Sequence, residues 1–264
     1  MNTTKRSFLA ALGLAVLSLA WAPAHAQSAL DNITKSKTIK IGIPTDYPPY
    51  GFAGLDMKPQ GLDIDMATLI ATKLGVKVEL VPVVSANRIP YLQTKKVDLV
   101  ISTLGRNEER AKVIDFSYAY APFYQGVFAT KDVSIKSFAD LSGKTVAVTR
   151  GAMEDEMLAQ LAPPTVIVKR FEDQAATTAA FASGQTQVIA TSVSNIGVLS
   201  QKQPQLGAEF KLLLRDSPCF IGIAKGEDAL RAKVNEIILA AKADGSLNKL
   251  SQKWLKRDTG DLPL

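Results

Sequence analysis

Strand-like apolar runs alternate with amphipathic helical stretches along most of this chain, and the series starts twice. "KTIKIGI" puts Ile39, Ile41 and Ile43 on one face, a period-two strand signal. "GLDIDMATLIATKLG" spaces Leu62, Met66, Leu69 and Ile70 as on a helix, with Gly75 as its stop. "VKVELVPV" then reads as strand, "ANRIPYLQTKK" as short helix and "VDLVIST" as a buried strand of parallel type. After Pro122 the order begins again: "SFADLSGK" a short helix and turn, "TVAVTRG" strand, "MEDEMLAQL" helix, "PTVIVKRF" strand, "DQAATTAAFASG" helix, "QVIATSV" strand. "EFKLLL" and "PCFIGIAKG" follow as strands. The stripe Leu230, Val234, Ile237, Ile238, Ala241 then defines a long helix ended by Gly245. Ser246 is expected to cap a last helix whose face is Leu247, Leu250, Trp254 and Leu255. Such alternation predicts parallel sheets covered on both faces, and the restart near residue 123 predicts two α/β lobes.

Residues 1–26 stand outside this pattern. Lys5 and Arg6, an apolar "FLAALGLAVLSLAWAP" and Ala24-His25-Ala26 have the layout of a secretory signal peptide cut after Ala26. The apolar part is short of the roughly 20 residues a membrane span needs. Removal takes away the only histidine, His25, and with it Ser-His-Asp or Cys-His triads and imidazole-based zinc sites. Cys219 is the only cysteine, so no disulfide forms within the chain, and a buried small hydrophobe is its expected role. The 31 basic residues lose Lys5 and Arg6 with the leader while all 25 acids stay, leaving a mature charge of +4. These charges are scattered, with no stripe for nucleic acid. No Gly-x-Gly-x-x-Gly follows a strand and no P-loop occurs, so no cofactor is expected.

The stretch "VDLVISTLGRNEER" holds the candidate chemistry. In open parallel sheets, ligands lie beyond the carboxyl ends of strands. Ser102, Thr103, Leu104 and Gly105 occupy such an end, and hydroxyls and free backbone N–H groups there can hold a small polar group. Arg110 offers a planar fork that fits a carboxylate. Spacing alone also allows Arg110 to be one charge on a solvated helix start. Asp63 and Asp65 could be a catalytic pair, but two acids in a first turn more simply complement a helix dipole. Asp115 is expected to fix the loop after the Arg110 helix.

From about Lys37 onward the chain resembles the periplasmic polar amino acid-binding proteins of ABC importers, solute-binding protein family 3. The resemblance is carried by "IGIPTDYPPYGF", "QGLDIDMATLIATKLG", "LQTKKVDLVISTLGRNEERAKVIDFSYAY", "DLSGKTVAVTRG" and "VNEIILAAKADGSLNKLSQKWL", in that order. "SANRIPYLQ" is most similar to the glutamate/aspartate-binding branch. The resemblance implies two Rossmann-like lobes of the type II periplasmic binding protein kind, joined by two crossing strands near Pro122–Gln125 and Ser217–Ile221. Lobe 1 would be residues 27–122 and 220–264, and lobe 2 residues 123–219. A small carboxylate, an amino acid or organic acid, would bind between lobes that close by hinge motion. A membrane permease would then recognise the closed, monomeric, periplasmic protein.

In residues, the resemblance implies that Arg110 clamps the ligand's carboxylate with help from Thr103 and Gly105. It places Tyr47 on the ligand, Phe52 on the same wall, and Ser85 and Arg88 near an acidic side chain. For Tyr47 and Phe52, simple loop packing is the alternative. This chain departs from the pattern where lobe 2 commonly supplies an aspartate for an α-ammonium: Ser192 stands there. Ala152 and Met153 replace hydroxyl residues, Arg150 precedes them, and Pro44 stands where acidic-ligand binders carry arginine. Either Glu154 or Asp155 then serves an ammonium, or the ligand lacks one. Cyclohexadienyl dehydratases resemble these binders, so an enzyme on the same scaffold is the alternative function. A sensor input domain acting through a separate receptor is a third.

Overall fold

The computed structural model describes residues 28–264, so the leader reading of residues 1–26 lies outside the described residues. The first lobe begins with helix α1 (Ala29–Ser36) and strand β1 (Thr38–Ile43). A three-stranded flap follows: β2 (Asp46–Tyr47), β3 (Gly51–Ala53) and β4 (Pro59–Gln60). Next come α2 (Leu62–Leu74), β5 (Lys77–Pro82), a 3-10 turn at Ser85–Asn87, α3 (Arg88–Gln93), β6 (Leu99–Leu104), α4 (Glu108–Val113) and β7 (Ile114–Ala121). The second lobe holds β8 (Tyr124–Thr130), β9 (Thr145–Thr149), α5 (Met153–Leu161), β10 (Ile167–Phe171), α6 (Gln174–Ala182), β11 (Val188–Ser192), α7 (Val193–Lys202) and β12 (Ala208–Asp216). The chain then returns to the first lobe through β13 (Cys219–Ala224), α8 (Asp228–Ala243) and α9 (Ser246–Leu255).

Each lobe has one five-stranded sheet, ordered β5-β1-β6-β13-β7 and β10-β9-β11-β8-β12. Three strands of each run parallel, as the alternation predicts, with Ile41 in register with Leu80 on one side and Leu99 on the other. One strand in each, β13 in the first sheet and β8 in the second, runs antiparallel to both its neighbours, which corrects the expectation of wholly parallel sheets. The reason is the crossover. The chain leaves the first sheet by β7 and enters the second by β8 across Pro122 and Phe123. It comes back from β12 to β13 across Ser217 and Pro218. Two neighbouring passages in opposite directions must place antiparallel strands in both sheets.

The core follows the sequence pattern. Ile39, Ile41 and Ile43 are fully buried, and so is the stripe Leu230, Val234, Ile237, Ile238 and Ala241 of α8. Cys219 is buried among them. Gly75 closes α2 in the left-handed conformation, its N–H reaching back to the last carbonyls. Helix α9 differs from expectation: its N-cap is Gly245, at φ 78°, and Ser246 is already helical, its N–H held by Asp244 Oδ1 at 2.8 Å. Helix α7 was not legible because "QVIATSV" reads as strand through Val193. The strand stops at Ser192, whose Oγ accepts from the Asn195 N–H at 3.1 Å and starts the helix. Among the described residues no helix is long and apolar enough to cross a membrane.

Candidate functional site

The carboxyl end of β6 meets the second lobe, and its shape is set by a buried acid. Thr103 has φ 44°, a left-handed conformation that a β-branched residue adopts only when held there. Asp63 holds it: Oδ2 accepts from the Thr103 N–H at 2.9 Å, and Oδ1 accepts from the Tyr120 hydroxyl at 2.7 Å. Asp63 is fully buried, and burial pushes its carboxyl up to about 7 against the pull of those two bonds and nearby Arg88. Asp63 and Asp65 do lie in the first turn of α2, yet their partners are specific rather than a general helix dipole. Asp65 Oδ2 accepts from Lys253 Nζ and Trp254 Nε1, fastening α9 to α2. Asp115 ties strand β7 to the turn before α8 through Lys225 and Gly226.

Two arginines stand at this strand end. Arg88, 3% exposed, donates to the carbonyls of Ser85 (3.1 Å), Ser102 (2.8 Å) and, across the gap, Gly151 (3.1 Å). Burial, reinforced by nearby Arg110, lowers its guanidinium to about 10. Arg110, 4% exposed, does not sit on a solvated face. Its Nη1 donates to the Gly105 carbonyl (3.1 Å) and Nη2 to that same Gly151 carbonyl (3.3 Å). Its remaining partner is a carboxylate of the second lobe, Glu156, whose Oε1 lies 2.7 Å from Nη2 and 3.2 Å from Nε. Asn107 steadies both sides of this pair: its side chain caps α4 at the Arg110 N–H and donates to Glu156 Oε2. Two glycines permit the close approach of the lobes. A Cβ on Gly151 would come within 2.9 Å of the Ala86 backbone, and one on Gly105 within 2.9 Å of Met153 Cε.

The second lobe closes the opposite side. Tyr47 reaches over from the flap; its buried hydroxyl accepts from the Ser192 N–H at 3.2 Å and lies 3.3 Å from Thr191 Oγ1. Burial pushes that phenol far up, so it stays neutral. Asp46 accepts from the Gln174 and Ala175 N–H groups, a cap for α6 supplied by the other lobe. Burial raises its carboxyl. Glu154, 3% exposed, faces the gap, and burial lifts its carboxyl to about 7 while Arg88 and Arg110 pull it down. Two adjoining clefts remain at the interface. One lies among Pro44, Asp46, Ser85, Thr103 and Gln174; the other lies among Ser85, Arg88, Thr103, Gln125, Met153 and Glu154; Tyr47 borders both.

Of the residues singled out from sequence, the structure brings Tyr47, Ser85, Arg88, Thr103 and Met153 together on the clefts. Gly105 and Arg110 adjoin them at the seam, and Ser192 contributes its backbone N–H to Tyr47. Three others lie elsewhere. Phe52 packs edge-to-face on Trp254, Leu104 is buried in the core beneath α3, and Arg150 pairs with Glu172 at the surface. Asp155 also turns away, to Arg170, which leaves Glu154 as the acid of that pair facing the gap. Asp46, Gln125 and Gln174 line the clefts and Glu156 meets Arg110 without having been singled out by the sequence. Gln125 sits on a crossing strand and Glu156 on an exposed-looking acidic helix, so no local pattern marks either.

Two α/β lobes joined by two strands, with a polar cleft at the sheet ends between them, define a two-lobed binding protein of the periplasmic type II architecture. The chain belongs to the bacterial extracellular solute-binding proteins, family 3, which match it over residues 39–257. It is similar to the ABC transporter glutamine-binding protein GlnH of Bacillus subtilis, 28% identical over 87% of this chain and 85% of that protein. It is equally similar, at 28%, to the L-arginine-binding protein of Pseudomonas aeruginosa, over 96% of this chain and 97% of the relative. Among solved structures it resembles an ancestral amino acid-binding protein described as a precursor of cyclohexadienyl dehydratase, with 32% identity, a TM-score of 0.77, and coverage of 86% and 99% of the two chains.

Proposed function

We propose that this protein is the extracytoplasmic solute-binding component of an ABC importer and closes its lobes on an amino acid or a related small carboxylate. The observation that carries this is the Arg110 guanidinium, buried at the seam and engaged by a carboxylate from the opposite lobe. A ligand carboxylate arriving there replaces Glu156, whose side chain is 37% exposed and free to swing outward. Gly105 adjoins that position, and Ser85, Thr103 and Tyr47 line the neighbouring clefts. The first lobe moves as one body against the second, because only the two crossing strands join them along the chain. The leader-like residues 1–26 direct the protein to the periplasm, where it works as a monomer that docks on a membrane permease.

Relatives named for glutamine and arginine support an amino acid as the ligand. Within the family we place the chain nearest the glutamate/aspartate-binding branch, on "SANRIPYLQ" and on Arg88 in the cleft. Titration calorimetry with the common amino acids, L-cystine and small organic acids tests both statements. One tight binder among them is expected. A panel on which nothing binds would overturn the receptor reading, and a ligand other than L-glutamate or L-aspartate the branch.

One observation favours an enzyme as the second reading. Glu154 is a buried carboxyl near neutrality inside the cleft, which a general acid requires. Incubation with prephenate and arogenate should yield no aromatic product; steady turnover would replace the receptor with a dehydratase.

A further inference from the structure

Among the described residues five other than glycine have a positive φ, and four of them, Lys37, Met57, Lys95 and Lys256, lie exposed in turns or at helix ends. The fifth is Thr103, which is β-branched, 8% exposed, and borders both clefts. A buried side chain of this kind in the left-handed region is strained, and strain held at a binding cleft points to a use. The pairing of β6 with β1 and with β13 passes over Thr103, so its N–H leaves the ladder and finds Asp63 Oδ2 at 2.9 Å. In an extended strand successive carbonyls face opposite edges. At a φ of 44° those of Ser102 and Thr103 instead both come within reach of Arg88 Nη1, at 2.8 and 3.5 Å. The turn at Thr103 therefore shapes the floor shared by the two clefts.

We propose that Asp63 is a positioning residue for ligand binding: it keeps Thr103 left-handed, and that backbone turn presents the end of β6 to the ligand. The inference rests on the receptor reading and deepens it by naming a residue of the site that the ligand never touches. Asp63 is fully buried and borders neither cleft, so it acts only through Thr103. Its second oxygen is fixed from β7, where the Tyr120 hydroxyl donates to Oδ1 at 2.7 Å, and the carboxylate cannot rotate away from the Thr103 N–H. Without that acceptor, Thr103 returns to the extended region, which a residue with a Cβ prefers by about tenfold or more. The turn is then undone, and the two carbonyls swing away from Arg88. Apparent affinity falls by the fraction of molecules that keep the binding-competent turn, about one in ten or fewer. A glycine at this position adopts positive φ about as readily as negative, so it has no need of the acid.

The test is a double-mutant cycle read by calorimetry on the full mature protein. The probe is the tightest binder among the common amino acids, L-cystine and small organic acids. Its Kd is measured for the wild type, Asp63→Ala, Thr103→Gly and the double variant, which cancels the loss of the threonine side chain itself. Asp63→Ala should weaken binding about tenfold or more in the otherwise wild-type protein, and less than about threefold on the Thr103→Gly background. An acid needed only for stability lowers the urea midpoint on both backgrounds and gives the same affinity loss, or none, on each. Either result overturns this inference and leaves the receptor reading standing. A wild type that binds nothing on the panel overturns both. If Asp63→Ala does not melt cooperatively, Asp63→Asn goes through the same cycle, since its amide has one acceptor for the two donors. A loss relieved by Thr103→Gly then supports the proposal, and equal or absent losses overturn it.

Discussion

The two walls of the cleft are built from the same polar chemistry to different degrees of completion. On the first lobe, Asp63, Tyr120, Thr103, Arg88 and Ser102 form one connected set of bonds. On the second, Oε1 of Glu154 and Oε1 of Gln125 stand buried without a partner, and Ala152 and Met153 present apolar surface. The difference teaches a division of labour. A preorganised wall binds without reorganising, and it selects for a fixed group such as a carboxylate. A wall with unmet acceptors gains most from ligand, so ligand stabilises the closed arrangement through differential contacts there.

The largest blow to this contrast should come from the first wall. Asp63→Ala leaves the Thr103 N–H and Tyr120 hydroxyl buried without an acceptor, and urea unfolding should show a loss of about 4 kcal/mol. A loss below about 1 kcal/mol would mean that the first wall is no more rigid than the second. Arg110→Ala comes next. Ligand affinity should fall roughly a hundredfold, about 3 kcal/mol, in calorimetry. A change under about tenfold would place the carboxylate elsewhere.

Stability against pH sharpens the comparison, because each wall carries one buried acid near 7. Asp63 and Glu154 both have folded-state values raised above their ordinary ones. The stability they contribute is fully present below the usual carboxylate range and is lost as pH rises through about 7. The Tm of the ligand-free protein should therefore drop by about 5 °C between acidic and mildly alkaline buffer, a change Asp63→Asn and Glu154→Gln should each reduce. A Tm that climbs over this range would contradict the burial of both. Glu156→Gln has a smaller effect. Removing a half-exposed competitor for Arg110 should tighten ligand binding by about 1 kcal/mol or less, several-fold in Kd. Weaker binding would recast Glu156 as part of the ligand site. The smallest effect belongs to Arg150→Ala, a surface pair with Glu172, which should move affinity and stability by less than about 0.5 kcal/mol.

Much of the fold was legible, because local patterns carry it. Alternation in "KTIKIGI", the stripe of α8 and the stop at Gly75 are short-range consequences of which side chains avoid water and which backbone turns glycine allows. The site was legible only in part. Arg110, Arg88, Tyr47 and Thr103 could be named from position at strand ends and from resemblance. The outward turn of Arg150 could not, since a surface arginine beside a cleft and one within it share the same local sequence. Nor could the partner of Arg110, a glutamate 46 positions away on the other lobe.

By itself, then, the sequence determined the succession of strands and helices, the break into two series and the kind of group found at the strand ends, since propensity, periodicity and turns act between near neighbours. Only the tertiary structure decided which charges meet. Two passages of chain between the sheets bring β6, α5 and β8 to one seam, and pairings such as Asp63 with Thr103 or Arg110 with Glu156 depend on ångström-scale approach across that seam. The same approach buries Glu154 at the seam, because hydrogen bonds fall off within fractions of an ångström while sequence patterns fix only faces and order.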